Sequence, residues 1–92
     1  MTEGDPSVGS SETAPPLREL LLYLARALVE HPDEVAVEEI DESDATVFEL
    51  KVAESDLGRV IGRQGRTAKA LRTVLSAASA KMKRRAILEI LE

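Results

Sequence analysis

Apolar residues recur at Leu17, Leu20, Leu21, Leu24, Ala25 and Leu28, at intervals of three and four that gather them on one side of a helix. Pro15 and Pro16 stand before it, where a missing amide hydrogen costs little. His31 precedes Pro32, and a residue before proline avoids helical backbone, so the helix is expected to stop near Glu30. The period then changes. Val35–Ile40 is a short β-prone run, and Thr46–Val52 is a stronger one. In the second, Phe48, Leu50 and Val52 point one way while Glu49 and Lys51 point the other. Asp41, Glu42, Ser43 and Asp44 form the turn of a hairpin with one face on the core and one in water.

Ser55-Asp56 offers an N-cap for a short helix through Leu57, Val60 and Ile61. Gly62 and Gly65 interrupt it. Helical spacing resumes at Ala68, Leu71, Leu75, Ala78 and Met82, and Ala86–Leu91 reads as a closing strand with Leu88 and Ile90 inward and Glu89 outward. The order is α-β-β-α-α-β. Helices covering one face of a small sheet make an α+β fold, a two-layer αββααβ sandwich. The hairpin is antiparallel and the helical crossover makes the last pair parallel, so the three-stranded sheet is mixed. Residues 1–16, rich in Ser, Gly, Thr, Pro and acids, read as a disordered tail, and 17–92 as the one folded domain.

Charge adds what periodicity does not. The 92 residues carry a net charge of −5, which taken whole argues against a nucleic-acid binder. Its distribution reverses that argument. Residues 17–57 hold twelve acids and three bases, whereas 58–85 hold nine bases and no acid. A basic segment on an otherwise acidic chain points to an anionic partner. Aromatics are confined to Tyr23, at a margin or interface, and Phe48, in the core, so stacking platforms for bases are absent.

Other chemistry is thinly supplied. With no cysteine, disulfides, thiolate-bound zinc and thiol catalysis are excluded, which fits a reducing compartment. No apolar run approaches the ~20 residues that cross a bilayer, and the N-terminus has neither the basic start nor the apolar stretch of a secretory signal. A cytoplasmic location away from membranes is expected. The single histidine, His31, reads as a helix C-terminal cap, and no nucleophile–base pair can be assembled, so no enzyme and no cofactor are expected. The acids of the hairpin lack calcium-site spacing and read as a solvated face, not a metal site. Lys81, Lys83, Arg84 and Arg85 read as compensation of a helix dipole.

The informative segment is Val60-Ile61-Gly62-Arg63-Gln64-Gly65-Arg66. Glycine admits positive φ and has no Cβ, so a backbone phosphate can come close. The segment opens the long helix, whose free amide hydrogens and positive dipole end favour an anion. Arg63 and Gln64 stand at its tip, Val60 and Ile61 anchor it, and Arg66, Lys69 and Arg72 continue a basic ridge. Its glycine spacing fits neither a dinucleotide fingerprint nor a phosphate-binding P-loop.

Val-Ile-Gly-Arg-Gln-Gly-Arg resembles the V-I-G-x-x-G-x signature of the KH domain, an RNA-binding module whose GxxG loop clamps the nucleic-acid backbone. The element order resembles the type II KH arrangement, and the short chain, its leading Leu-rich helix and the stretch Gly58–Thr73 resemble the small stand-alone bacterial KhpA family. The likeness covers residues 17–92. It implies that Gly62, Arg63, Gln64 and Gly65 clamp single-stranded RNA, that Val60 and Ile61 support the loop and wall a base groove, and that the Thr46–Val52 strand lends the groove apolar side chains. Ala68 departs from the larger aliphatic residue common in KH signatures. The resemblance further implies an RNA-chaperone or post-transcriptional role linked to cell elongation and division, and pairing as a homodimer or with a second KH protein of the Jag type.

Overall fold

The computed structural model describes residues 16–92, the side chain of Lys81 excepted. The tail expected over 1–16 therefore lies outside the described residues but for Pro16. Helix α1 spans Leu17–Leu28, strands β1 and β2 span Ala36–Asp41 and Ala45–Lys51, and α2 spans Leu57–Ile61. Helix α3 spans Arg66–Ser79 and β3 spans Arg85–Ile90. The order is the αββααβ expected from the sequence. The sheet runs β1-β2-β3, with β1 antiparallel and β3 parallel to the central strand. The fold is α+β with a mixed three-stranded sheet, consistent with a type II KH fold.

Alternation along β2 decides the layering. Phe48 and Leu50, 1% and 0% exposed, face the helices together with Val37 of β1 and Leu88 of β3, their partners or neighbours in register. Leu21 and Ala25 of α1, Val60 of α2 and Leu71 and Leu75 of α3 close over them. Burying a side chain such as Phe48 or Leu50 contributes about 1.5–3 kcal/mol. The second face of the sheet carries no helix.

The strands shift by one residue from the sequence reading, and the helices differ from it in three respects. Helix α1 stops at Leu28, two residues before Glu30, because Val29 is already extended (φ −102°, ψ 167°) and packs against the core ahead of the His31-Pro32 restraint. The buried stripe of α1 is also rotated: Leu22 is buried, whereas Leu28 is 37% exposed. Helix α3 ends at Ser79, runs through one tighter turn and is stopped by Lys83 in the left-handed region (φ 55°), which leaves Met82 exposed and outside the core.

The terminal basic cluster also differs. Arg84 does not serve the end of α3. Its Nε donates to Thr46 Oγ1 at 2.9 Å, and its Nη2 donates to the carbonyls of Glu42 and Ala45 at 2.7 and 3.0 Å. A planar guanidinium matches several acceptors at fixed angles. Arg84 thus latches the hairpin turn to the start of β3.

Candidate nucleic-acid interface

The loop between α2 and α3 is built from hydrogen-bonded turns. Gly62 N–H donates to Gly58 O at 2.8 Å and closes α2; Gly65 N–H donates to Gly62 O at 3.0 Å; Arg66 N–H donates to Arg63 O. Arg63 and Gln64 N–H, at the tip, have no backbone acceptor among the described residues. They are donors left over where an acceptor from outside would be stabilised.

The two glycines act differently. Gly62 has φ 78° and ψ 168°, a region essentially confined to glycine. A Cβ there would lie 2.3 Å from Thr67 Oγ1 and 2.8 Å from Thr67 N, so Gly62 is also required by close approach. Gly65 sits in the left-handed region (φ 73°, ψ 15°), and a Cβ built on it meets nothing within 4 Å. The first glycine locks the loop onto α3; the second leaves open space beside the backbone. Gln64 between them is left-handed as well (φ 57°, ψ 25°), at a cost of roughly 1–2 kcal/mol for a side-chain-bearing residue.

Arg63 lies in the loop, and Arg66, Lys69 and Arg72 follow along the first turns of α3. Arg63, Gln64, Arg66, Lys69 and Arg72 are all exposed. Arg66 Nη2 donates to Gln64 Oε1 at 3.2 Å, so the first arginine of α3 leans back over the tip. Arg63, Arg66, Lys69 and Arg72 form no ion pair among the described residues. Arg59 differs: it pairs with Glu30 at 2.8 Å and approaches Asp56 at 3.7 Å. Val60 is fully buried and holds the loop from beneath, and Ile61 is half-buried. On strand β2, Phe48 and Leu50 are buried in the core. Ala68, 5% exposed, sits beside Leu71 in the packed layer below the loop.

Two supporting residues escaped the sequence reading. One is Thr67, whose hydroxyl fills the space that a larger residue at Gly62 would need. The other is Asp56. It stands at the N-cap position of α2 but makes no cap hydrogen bond there. Its buried carboxylate instead accepts Glu30 N–H at 3.1 Å and His31 N–H at 3.0 Å, and His31 Nδ1 lies 2.9 Å from Oδ2. His31 is therefore not the C-terminal cap of α1, a position held by Val29; it is tied to Asp56. Burial pushes the Asp56 pKa upward, but the Glu30 N–H, the His31 ring and the His31 N–H outweigh it and hold the carboxyl below its ordinary 3.8. The hydrogen bond to Asp56, and next its negative charge, raise His31 above 6.5. This junction fixes the end of α1 to the start of the helix that carries the loop.

A family model described as "KhpA/KhpB, KH domain" matches residues 18–90. The chain belongs to this KH-domain family. Among its relatives are proteins named RNA-binding protein KhpA. The one from Halalkalibacterium halodurans is 50% identical over 76 residues, covering 83% of this chain and all of the relative. That from Clostridium acetobutylicum is 48% identical over 75 residues, covering 82% and all of the relative. Among solved structures, Aquifex aeolicus Era bound to GDP and aluminium fluoride superposes with a TM-score of 0.61 at 22% identity, over 98% of this chain and 36% of Era. That likeness concerns the fold alone. Among the described residues of this KhpA/KhpB-type KH domain, no helix is long and apolar enough to cross a membrane.

Proposed function

We propose that this KH domain binds single-stranded RNA through the Gly62–Gly65 loop, without catalysing a reaction. The observation that carries the reading is the exposed loop with its two unaccepted amide hydrogens, followed along α3 by cations that, like Arg63, no carboxylate among the described residues neutralises. Arg63 and the loop amides hold phosphates. Arg66, Lys69 and Arg72 extend the track along α3, and bases meet the protein weakly, which gives broad sequence tolerance. The names of the relatives that the chain matches over their whole length support RNA binding, and on the family resemblance we assign the domain a cytoplasmic RNA-chaperone or post-transcriptional role in cell elongation and division. The test is the Arg63→Asp, Gln64→Asp double variant. Aspartate tolerates the left-handed backbone at position 64, so the fold is expected to persist by circular dichroism while binding to a single-stranded RNA oligonucleotide is lost. Unchanged affinity in the folded variant overturns the mechanism.

A second reading has its own support. An apolar groove of about 260 Å³ runs between α1 and α3, lined by Leu24, Ala27, Leu28, Thr67, Ala70 and Val74. Pairing with a second copy, or with another KH protein of the Jag type, would cover it. Val74→Asp is expected to abolish such pairing in sedimentation while leaving the isolated domain folded.

A further inference from the structure

The helix-free face of the sheet carries two rows that run across all three strands. Ile40, Val47 and Ile87 lie directly opposite one another, and so do Glu38, Glu49 and Glu89. The aliphatic row lies outside the core cluster; Ile40 and Ile87 are half-buried, and Val47 is 8% exposed because its two neighbours flank it. The acidic row sets like charges in direct cross-strand register, an arrangement that destabilises a sheet. None of its three carboxylates is in an ion pair among the described residues. Lys51 and Arg85 stand at opposite ends of the face, two residues beyond the rows along β2 and β3, and leave its centre negative. The rows are ~7 Å apart, the rise of two residues along a strand.

We infer that this face docks an amphipathic helix of a partner protein, one that lays an aliphatic stripe on Ile40, Val47 and Ile87 and flanks it with lysine or arginine against the three glutamates. Charge decides the occupant. The glutamate row repels RNA and anionic lipid surfaces, and it gains energy only when cations arrive. A helix laid along the rows, ~10 Å across with its side chains, can set its apolar stripe on the aliphatic row and a flanking cationic stripe over the glutamates. The domain would then hold RNA by one layer and a basic protein helix by the other, so that both are bound at once.

The probe is a leucine–lysine peptide of about 14 residues, helical and amphipathic, long enough at ~21 Å to cross three strands. Its control is a scrambled peptide of the same composition. With the full isotope-labelled chain, the amphipathic peptide is expected to shift the amide resonances of Val47, Glu49, Ile87 and Glu89, and to bind about tenfold more tightly than the scramble. The Glu38→Gln, Glu49→Gln, Glu89→Gln variant is expected to lose that difference while its RNA affinity stays unchanged. Removing three mutually repelling charges favours the fold; should that variant nevertheless fail to fold, Val47→Thr is expected to lose the same preference. Equal affinity for the two peptides, or shifts confined to the Asp41–Asp44 turn or the α1–α3 groove, overturns the inference. So does a dimer in sedimentation that Val47→Glu dissociates, which would assign the face to a second copy.

Discussion

At residue scale the loop separates into positions that the backbone demands and positions that the ligand demands. Gly62 is of the first kind: its φ/ψ pair excludes side chains, and Thr67 occupies the space a Cβ would take. Gly62→Ala is expected to cost about 1–3 kcal/mol in urea denaturation from backbone strain alone, with the Thr67 clash added. Gly65→Ala keeps its space open and incurs only the left-handed penalty of about 1–2 kcal/mol, so it is expected to fold and to weaken RNA binding. Gly58 has ordinary helical backbone and an empty surrounding; Gly58→Ala is expected to stabilise the domain by about 0.4–1 kcal/mol. If all three alanine variants lost the same stability, the division between the glycines would fall.

At the scale of elements, the junction of α1 and α2 makes stability depend on pH. The His31 pKa is raised in the fold, so its contribution is fully present below about pH 6.5 and is lost as pH rises through the folded value. The Asp56 pKa is lowered, so its contribution is present above 3.8 and is lost as pH falls through the folded value. The melting temperature is expected to decline from pH 6.5 upward, and His31→Gln to remove that decline; an identical profile in the variant would refute the link. The sequence showed the elements and their order, because helical and alternating periods are printed in the chain. It did not show the rotation of α1 that buries Leu22, which depends on how the helix docks on the rest of the fold. Nor did it show that Asp56 and Arg84 serve distant segments: both read locally as end-of-helix residues, and their partners lie 25 and 39 positions away at His31 and Ala45. The loop residues were legible because glycine spacing and charge are local; Thr67 was not, because its role is the close approach of its side chain and amide to the Gly62 backbone.

Over the whole molecule, charge is segregated by layer. The hairpin Ala36–Lys51 carries six acids and one base, while α3 carries Arg66, Lys69 and Arg72 and no acid. On the proposed reading, RNA is attracted to one side and repelled from the other. If two to four phosphates are neutralised, log affinity is expected to fall against log salt with a slope of about −1.4 to −2.8. A slope near zero would remove the electrostatic track, and Arg72→Ala is expected to flatten it.

The parallel pairing of β2 with β3 carries one more consequence. The chain passes from β2 to β3 through the crossover in which the loop is embedded, so the last edge of the sheet is continuous with the segment proposed to hold RNA. A bound oligonucleotide then acts as a clasp on that crossover. Amide hydrogens of Ile87–Ile90, remote in sequence from the Gly62–Gly65 loop, are expected to exchange with solvent more slowly once RNA is added.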